Sequence, residues 1–213
     1  MGKLAAIDIE TTGLNAEADM ILEVGVVVFD EALSPTAAGV ALVATTAAVN
    51  WALRTALSHP GDRDPAQSMH MRNGLITDLL AVGHDGDARH FTPADADAYT
   101  AVDTLADADA WVSDFLAAQG ITHPVPMVGS SVRSLDAPFL QRHMPRTGSA
   151  FTHRTIDASA LLELARFTDP GGYAELASTG GTSTHRTIGD CHRSLGLIRA
   201  FTDRYGVRDV VRS

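Results

Sequence analysis

The segment Lys3–Glu10 constrains this chain more than any other. Leu4, Ala5, Ala6, Ile7 and Ile9 read as a central strand buried on both faces, yet the run also carries two acids. Side chains alternate along a strand, so Asp8 and Glu10 project from the same side. Two buried carboxylates repel, and burying them is costly unless a cation joins them. An edge strand would leave both acids solvated, but the apolar residues around them are those of a central strand. Gly13 then lets the backbone turn sharply out of this region.

Two later stretches add acids. Asp136 closes Gly129-Ser130-Ser131-Val132-Arg133-Ser134-Leu135-Asp136, and His185-Arg186-Thr187-Ile188-Gly189-Asp190 supplies a histidine with the fourth acid. Asp8, Glu10, Asp136 and Asp190 could hold two hard cations, with His185 able to draw a proton from water, as in metal-assisted phosphodiester hydrolysis. Each later signature is weak alone. An acid near a helix N-terminus is favoured by the helix dipole, and His-x4-Asp is a common spacing. On a regular helix that spacing would separate the two side chains by about 140°. The workable geometry puts His185 in the turn before a helix and Asp190 within its first turns.

The length of 213 residues predicts one domain over 1–213, and 45% hydrophobic with 20% charged residues is globular. No stretch approaches the roughly 20 apolar residues that span a bilayer. Lys3–Glu10 reads as a core strand and not as a secretory signal, and Ala6 stands where myristoylation needs Ser or Thr. The single Cys191 excludes an internal disulfide and lies in an apolar helical stripe. A cytoplasmic protein with no membrane partner is expected.

The net charge of −10 is uneven. Residues 85–114 hold eight aspartates against Arg89, and the remainder carries 18 acids against 15 bases. The aspartate run reads as a solvated helix face. The chain lacks the basic field of a protein that grips long nucleic acid, so a short substrate with few phosphates suits it better.

Lys3–Glu10, Ile21–Asp30 and Ala38–Ala44 read as three strands, followed by short helices and loop over 45–70. Thr92-Pro93 predicts a helix start running to about Gln119-Gly120. Val125–Gly129 and Arg154–Asp157 are two more strands. Ser134 is a candidate cap for a helix through Phe139 and Leu140 to His143, and Ala158–Phe167 reads as a helix with Leu161, Leu164 and Ala165 on one face. Asp169–Thr184 reads as a loop and a candidate flap over the site. Ile188, Cys191, Leu195, Ile198 and Phe201 form the core stripe of a last helix. The sum is an α/β fold with a mixed five-stranded sheet, three antiparallel strands then two parallel, flanked by helices.

In order along the chain, these residues resemble the DEDDh exonucleases, and within them the oligoribonuclease family. Asp-x-Glu-x-Thr-Gly-Leu followed by Ile21-Leu22-Glu23-Val24 is similar to that family's first motif and second strand. Met69-His70-Met71-Arg72-Asn73-Gly74-Leu75 is similar to its Met-His-x-Arg-Ser-Gly-Leu segment. Phe151-Thr152-His153-Arg154-Thr155-Ile156-Asp157-Ala158-Ser159 resembles its Tyr-Arg-x-Leu-Asp-Val-Ser stretch. Residues 37–66 and 83–124 match poorly.

The resemblance implies an RNase H-like fold and a 3′→5′ exoribonuclease that degrades short single-stranded RNA to nucleoside 5′-monophosphates. It implies two divalent cations, Mg²⁺ or Mn²⁺, on Asp8, Glu10, Asp136 and Asp190, with His185 as general base. Leu14 would wedge against the terminal base, His70 would lie near the substrate, and Ser131, Arg154 and Ser159 would cap a 5′ phosphate. Part of that cap comes from a second subunit in the family, which implies a homodimer. Departures touch substrate contacts: one extra residue near Ser134-Leu135, His153 in place of a stacking Tyr, and Thr11 in place of a larger residue. A DNA exonuclease with the same chemistry and a non-catalytic RNA-binding module are the competing readings.

Overall fold

Every residue of Ile21–Phe29 is buried, and this strand (β2) lies inside the sheet. The computed structural model describes residues 2–85, 93, 95–179 and 181–207. The other strands are β1 (Leu4–Thr11), β3 (Pro35–Val43), β4 (Ala98–Val102), β5 (Val125–Gly129) and β6 (Phe151–Asp157). The sheet order is β4-β3-β2-β1-β5-β6. The β1–β2 and β2–β3 pairs are antiparallel, and β3–β4, β1–β5 and β5–β6 are parallel. β1 is thus central, as its apolar residues require.

The helices are α1 (Thr46–Leu57), α2 (Pro65–Arg72), α3 (Leu75–Asp85), α4 (Leu105–Ala118), α5 (Asp136–His143), α6 (Pro145–Ser149), α7 (Ala158–Thr168), α8 (Pro170–Thr179) and α9 (Thr187–Arg204). Helices pack on both faces of the sheet. On one face Ala6, Val27 and Phe29 meet Ala48 and Ala52 of α1, Leu79 of α3 and Ile188, Cys191 and Leu195 of α9. On the other, Ala5, Ile7, Val24 and Val26 meet Val112 of α4 and Phe139 and Leu140 of α5. Strand alternation therefore directs Asp8 and Glu10 to the face that α9 covers. Gly25 pairs with Asp8 across β1 and β2. A Cβ at Gly25 would lie 2.3 Å from Thr187 Oγ1, so glycine is what lets α9 begin this close to the sheet. None of the described helices is long and apolar enough to cross a membrane.

The sheet has six strands among the described residues, not five. The extra one, β4, falls inside the stretch read as a single helix from Thr92-Pro93. Thr92 itself lies outside the described residues. Ala98–Val102 pairs with β3, and the helix begins later, where Thr104 Oγ1 accepts from Asp107 N at 3.1 Å. As a partly exposed edge strand, β4 lacks the buried alternation that marks an inner one.

Asp109, expected on a solvated face, is 4% exposed. It accepts from Arg146 N at 3.0 Å and Thr147 N at 2.7 Å, tying α4 to α6. Ser134 caps nothing: its Oγ donates to Ser131 O at 3.0 Å, and α5 starts after Leu135 with no side-chain cap. Leu164 points away from the α7 core stripe and is 51% exposed.

The expected loop Asp169–Thr184 contains α8. Asp169 Oδ1 accepts from Gly172 N at 2.9 Å, Pro170 suits the first turn, and Arg204 pairs with Asp169 at 3.0 Å. Gly and Ser content predicts loop there, but the local Gly172 bond and the Arg204 contact from α9 stabilise the helix.

Candidate active site

A cavity of about 700 Å³ opens where β1 and β5 end and α5 and α9 begin. It is lined by Asp8, Glu10, Asp136, His185 and Asp190, which lie in three separate segments of the sequence, and also by Leu14 and Ser131. Leu14 is 81% exposed at this wall.

Asp136 is set by backbone geometry. β1 pairs with β5 only at Ala5 and Ala6, so beyond Ala6 that side of β1 has no strand partner. Asp136, at the start of α5, fills the gap: its Oδ1 accepts from Ile9 N at 2.9 Å. Burial pushes its carboxyl up to about 7, opposed by hydrogen bonds from backbone N–H groups. Glu10 is pushed up to about 8 by burial and then by Glu23 and Asp190, with Arg186 opposing. Asp8 is held well above the usual carboxylate range by burial and by its neighbours Asp136, Glu10 and Asp190.

Asp190 sits in the first turn of α9 and organises the segment before it. Its Oδ2 accepts from Ser183 Oγ at 2.5 Å and its Oδ1 from Thr184 N at 3.0 Å. His185 occupies the turn between, with a left-handed φ of 50°. Ser131 across the cavity also has a positive φ, 55°, and its N–H donates to Asp157 Oδ1 at 3.0 Å. Two non-glycine residues in this region of backbone space therefore face the cavity, and their surroundings hold them there.

Glu23, which is no part of the expected site, anchors this arrangement. It lies opposite Glu10 on β2 and is 1% exposed. Its carboxylate accepts from Arg186 Nη2 at 2.7 Å, Thr187 N at 3.0 Å and Thr187 Oγ1 at 2.9 Å. Arg186 Nη1 also meets Asp78 of α3 at 2.9 Å. Asn73 Nδ2 donates to the His185 carbonyl. The start of α9 is thus clamped to β2, α2 and α3. A signal for Glu23 does exist in the sequence: a lone acid inside Ile21-Leu22-Glu23-Val24 needs buried partners just as Asp8 does.

Four expected substrate residues lie off the cavity wall. His70 has no exposed surface; its Nε2 donates to Thr11 O at 2.9 Å, and its ring stands edge-on to Trp51. It braces the end of β1 from behind. His153 and Arg154 are exposed on the edge strand β6. Ser159 touches the wall indirectly, as its Oγ accepts from Ser131 Oγ at 3.2 Å.

Among the described residues, Glu10, His185 and Asp190 bring donor atoms within 4.8 Å of one another. Asp8 and Asp136 extend the carboxylates beside them. Three acids whose charged forms are disfavoured by burial, with oxygen donors predominating, suit a divalent cation. The cation would offset the burial, and then the mutual repulsion, that raise Asp8 and Glu10.

The burial of these acids has a measurable consequence without metal. Glu10 and Asp136 titrate near 8 and 7 in the fold, against about 4 in an unfolded chain. A raised acid pKa contributes stability below the unfolded value that is lost as pH rises through the folded value. In EDTA, the melting temperature is therefore expected to fall from about pH 5 to about pH 9, and Mg²⁺ to recover more at the alkaline end. A flat profile in EDTA would contradict the burial of these acids.

No family model matches the chain. It is 30% identical over 203 residues to an oligoribonuclease of Mycobacterium tuberculosis (strain ATCC 25177 / H37Ra), covering 93% of this chain and 79% of that protein. To the oligoribonuclease of Paracidovorax citrulli it is 28% identical over 189 residues, covering 89% and 82%. Among solved structures, Escherichia coli exonuclease I in complex with a 5cy-dA13 oligonucleotide superposes with a TM-score of 0.59 at 12% identity. The match covers 95% of this chain and 41% of exonuclease I, so this chain spans under half of that protein, and the likeness carries the fold alone. The fold is that of the RNase H-like class, and the match to the oligoribonucleases makes the chain a 3′→5′ exonuclease. Within that class, the chain belongs to the oligoribonuclease family.

Proposed function

We propose that this chain is an exoribonuclease that removes nucleoside 5′-monophosphates from the 3′ end of short single-stranded RNA in the cytoplasm. The observation that supports this reading best is the meeting of Asp8, Glu10, Asp136, His185 and Asp190 around one cavity. Asp8, Glu10, Asp136 and Asp190 would hold two divalent cations, Mg²⁺ or Mn²⁺. When bound, such cations supply Lewis-acid polarisation of the phosphate and a more acidic water.

The chain's own residues do the rest. His185 takes the proton of the attacking water, and its left-handed turn and the Asn73 bond to its carbonyl hold the backbone that carries the ring. Leu14 offers an apolar face to the terminal base. Ser131, oriented by Asp157, supplies a hydroxyl to the substrate backbone. The exposure of His153 and Arg154 on edge strand β6 supports a homodimer in which they reach RNA bound to the second copy.

The test is a length series of 5′-labelled RNA and DNA from two to about thirty nucleotides, since long strands demand basic charge that this chain lacks. With Mg²⁺ or Mn²⁺, the shortest RNAs should disappear fastest from their 3′ ends, and EDTA should stop the reaction. Preference for DNA, or equal rates at every length, would overturn the substrate assignment.

A further inference from the structure

We propose that Arg186 is a positioning residue for the reaction, acting through His185. The proposal rests on the nuclease reading above. Arg186 is not among the residues that line the cavity, whereas His185, the residue before it, is. Arg186 occupies the N-cap position of α9 and makes no side-chain cap bond there. A cation is a poor choice at that position, because the helix dipole and the free N–H groups favour Ser, Thr, Asp or Asn. Glu23 caps the helix instead, its Oε1 accepting from Thr187 N at 3.0 Å. A residue unfavourable to its own helix points to a role outside that helix.

The reach of the guanidinium defines that role. Its Nη2 donates to Glu23 Oε2 at 2.7 Å, and its Nη1 meets Asp78 Oδ2 of α3 at 2.9 Å and Asn73 O at 3.5 Å. Glu23 pairs with Glu10 in the β1–β2 register. One planar fork therefore ties the backbone beside His185 to the strand position opposite Glu10, and braces both against α3. His185 depends on such a tie. It is a non-glycine residue at a φ of 50°, and its exposed ring inherits its place from the backbone that carries it. Neutralising Glu23 alone would not require the reach to Asp78 and Asn73, and Glu23 also accepts from Thr187 Oγ1 at 2.9 Å.

A double-mutant cycle with His185 separates positioning from a general effect on the fold. R186K loses the fork but keeps a charge against Glu23, so no buried carboxylate is left unpaired. On a 5′-labelled RNA trinucleotide with Mn²⁺, R186K is expected to lower kcat by about 10–100-fold with KM little changed, the cost of a slightly misplaced reacting group. In the H185A chain the same substitution should change the residual rate by less than about twofold. Mn²⁺ affinity, read by calorimetry, should hold in R186K. E23Q/R186Q, which removes both charges together, repeats the cycle if R186K unfolds. An equal loss with and without His185 overturns the proposal, because Arg186 would then act on the fold at large. A fall in Mn²⁺ affinity that matches the fall in kcat overturns it too, as do wild-type rates in both R186K and E23Q/R186Q. Wild-type protein that cleaves no RNA, or H185A that cleaves as fast as wild type, overturns the reading of His185 as base and this proposal with it. A wild type that depends on His185, with equal losses in both backgrounds, overturns this proposal alone.

Discussion

Asp8→Ala is expected to reduce RNA hydrolysis by far more than about 100-fold, because residues that merely orient a metal ligand already cost about 10–100-fold when removed. Asp8 faces Asp136, Glu10 and Asp190 from the central strand, and burial with the repulsion of those acids is what raises its carboxyl. Taking it away removes a donor from the middle of the cluster. Mn²⁺ binding by calorimetry should weaken along with turnover. The fold should persist, since Asp8 is half-buried at the cavity wall and the flanking Ala6 and Ile7 keep β1 in the core. Near-wild-type hydrolysis by this variant would sink the metal-dependent reading.

His185→Ala should lower kcat by about 10²–10⁴-fold, the range of a positioned general base. The informative companion measurement is Mn²⁺ affinity. A histidine that only moves a proton leaves it intact. The ring, however, lies within 4.8 Å of donor atoms of Glu10 and Asp190, which is close enough for a ligand. If Mn²⁺ affinity falls with the rate, His185 holds metal and the proton acceptor lies elsewhere. The exposed position of His185 in a turn keeps a stability loss from confusing the result.

Much of the site is legible in the order of residues. Asp8 and Glu10 stand out because two acids at a spacing of two in an apolar strand have few inexpensive explanations. The placement of His185 before α9 and Asp190 within its first turn follows from helical geometry. Glu23 carries the same signal of a buried acid, but a lone acid does not declare its partner. That partner, Arg186, lies 163 residues away along the chain, and Arg186 in turn reaches Asp78. Only folding joins the three.

Local patterns also mislead where tertiary contacts outweigh propensity. Gly- and Ser-rich residues after Asp169 form α8 because Asp169 receives Gly172 N and Arg204. The aspartate-rich stretch divides into β4 and α4 because an edge of β3 is available for pairing. Asp109 is buried because the N-terminus of α6 offers it two N–H donors.

By itself the sequence determined which strand is central, which acids it carries and which helix faces the core, because periodicity of two or 3.6 residues is a local property. Only the tertiary structure decided that Asp136 would take the N–H left free where β5 ends, that Glu23 and Arg186 would clamp α9, and that His70 would brace the wall from behind. Those outcomes depend on register and on distances between segments far apart in the chain, and no local pattern encodes them.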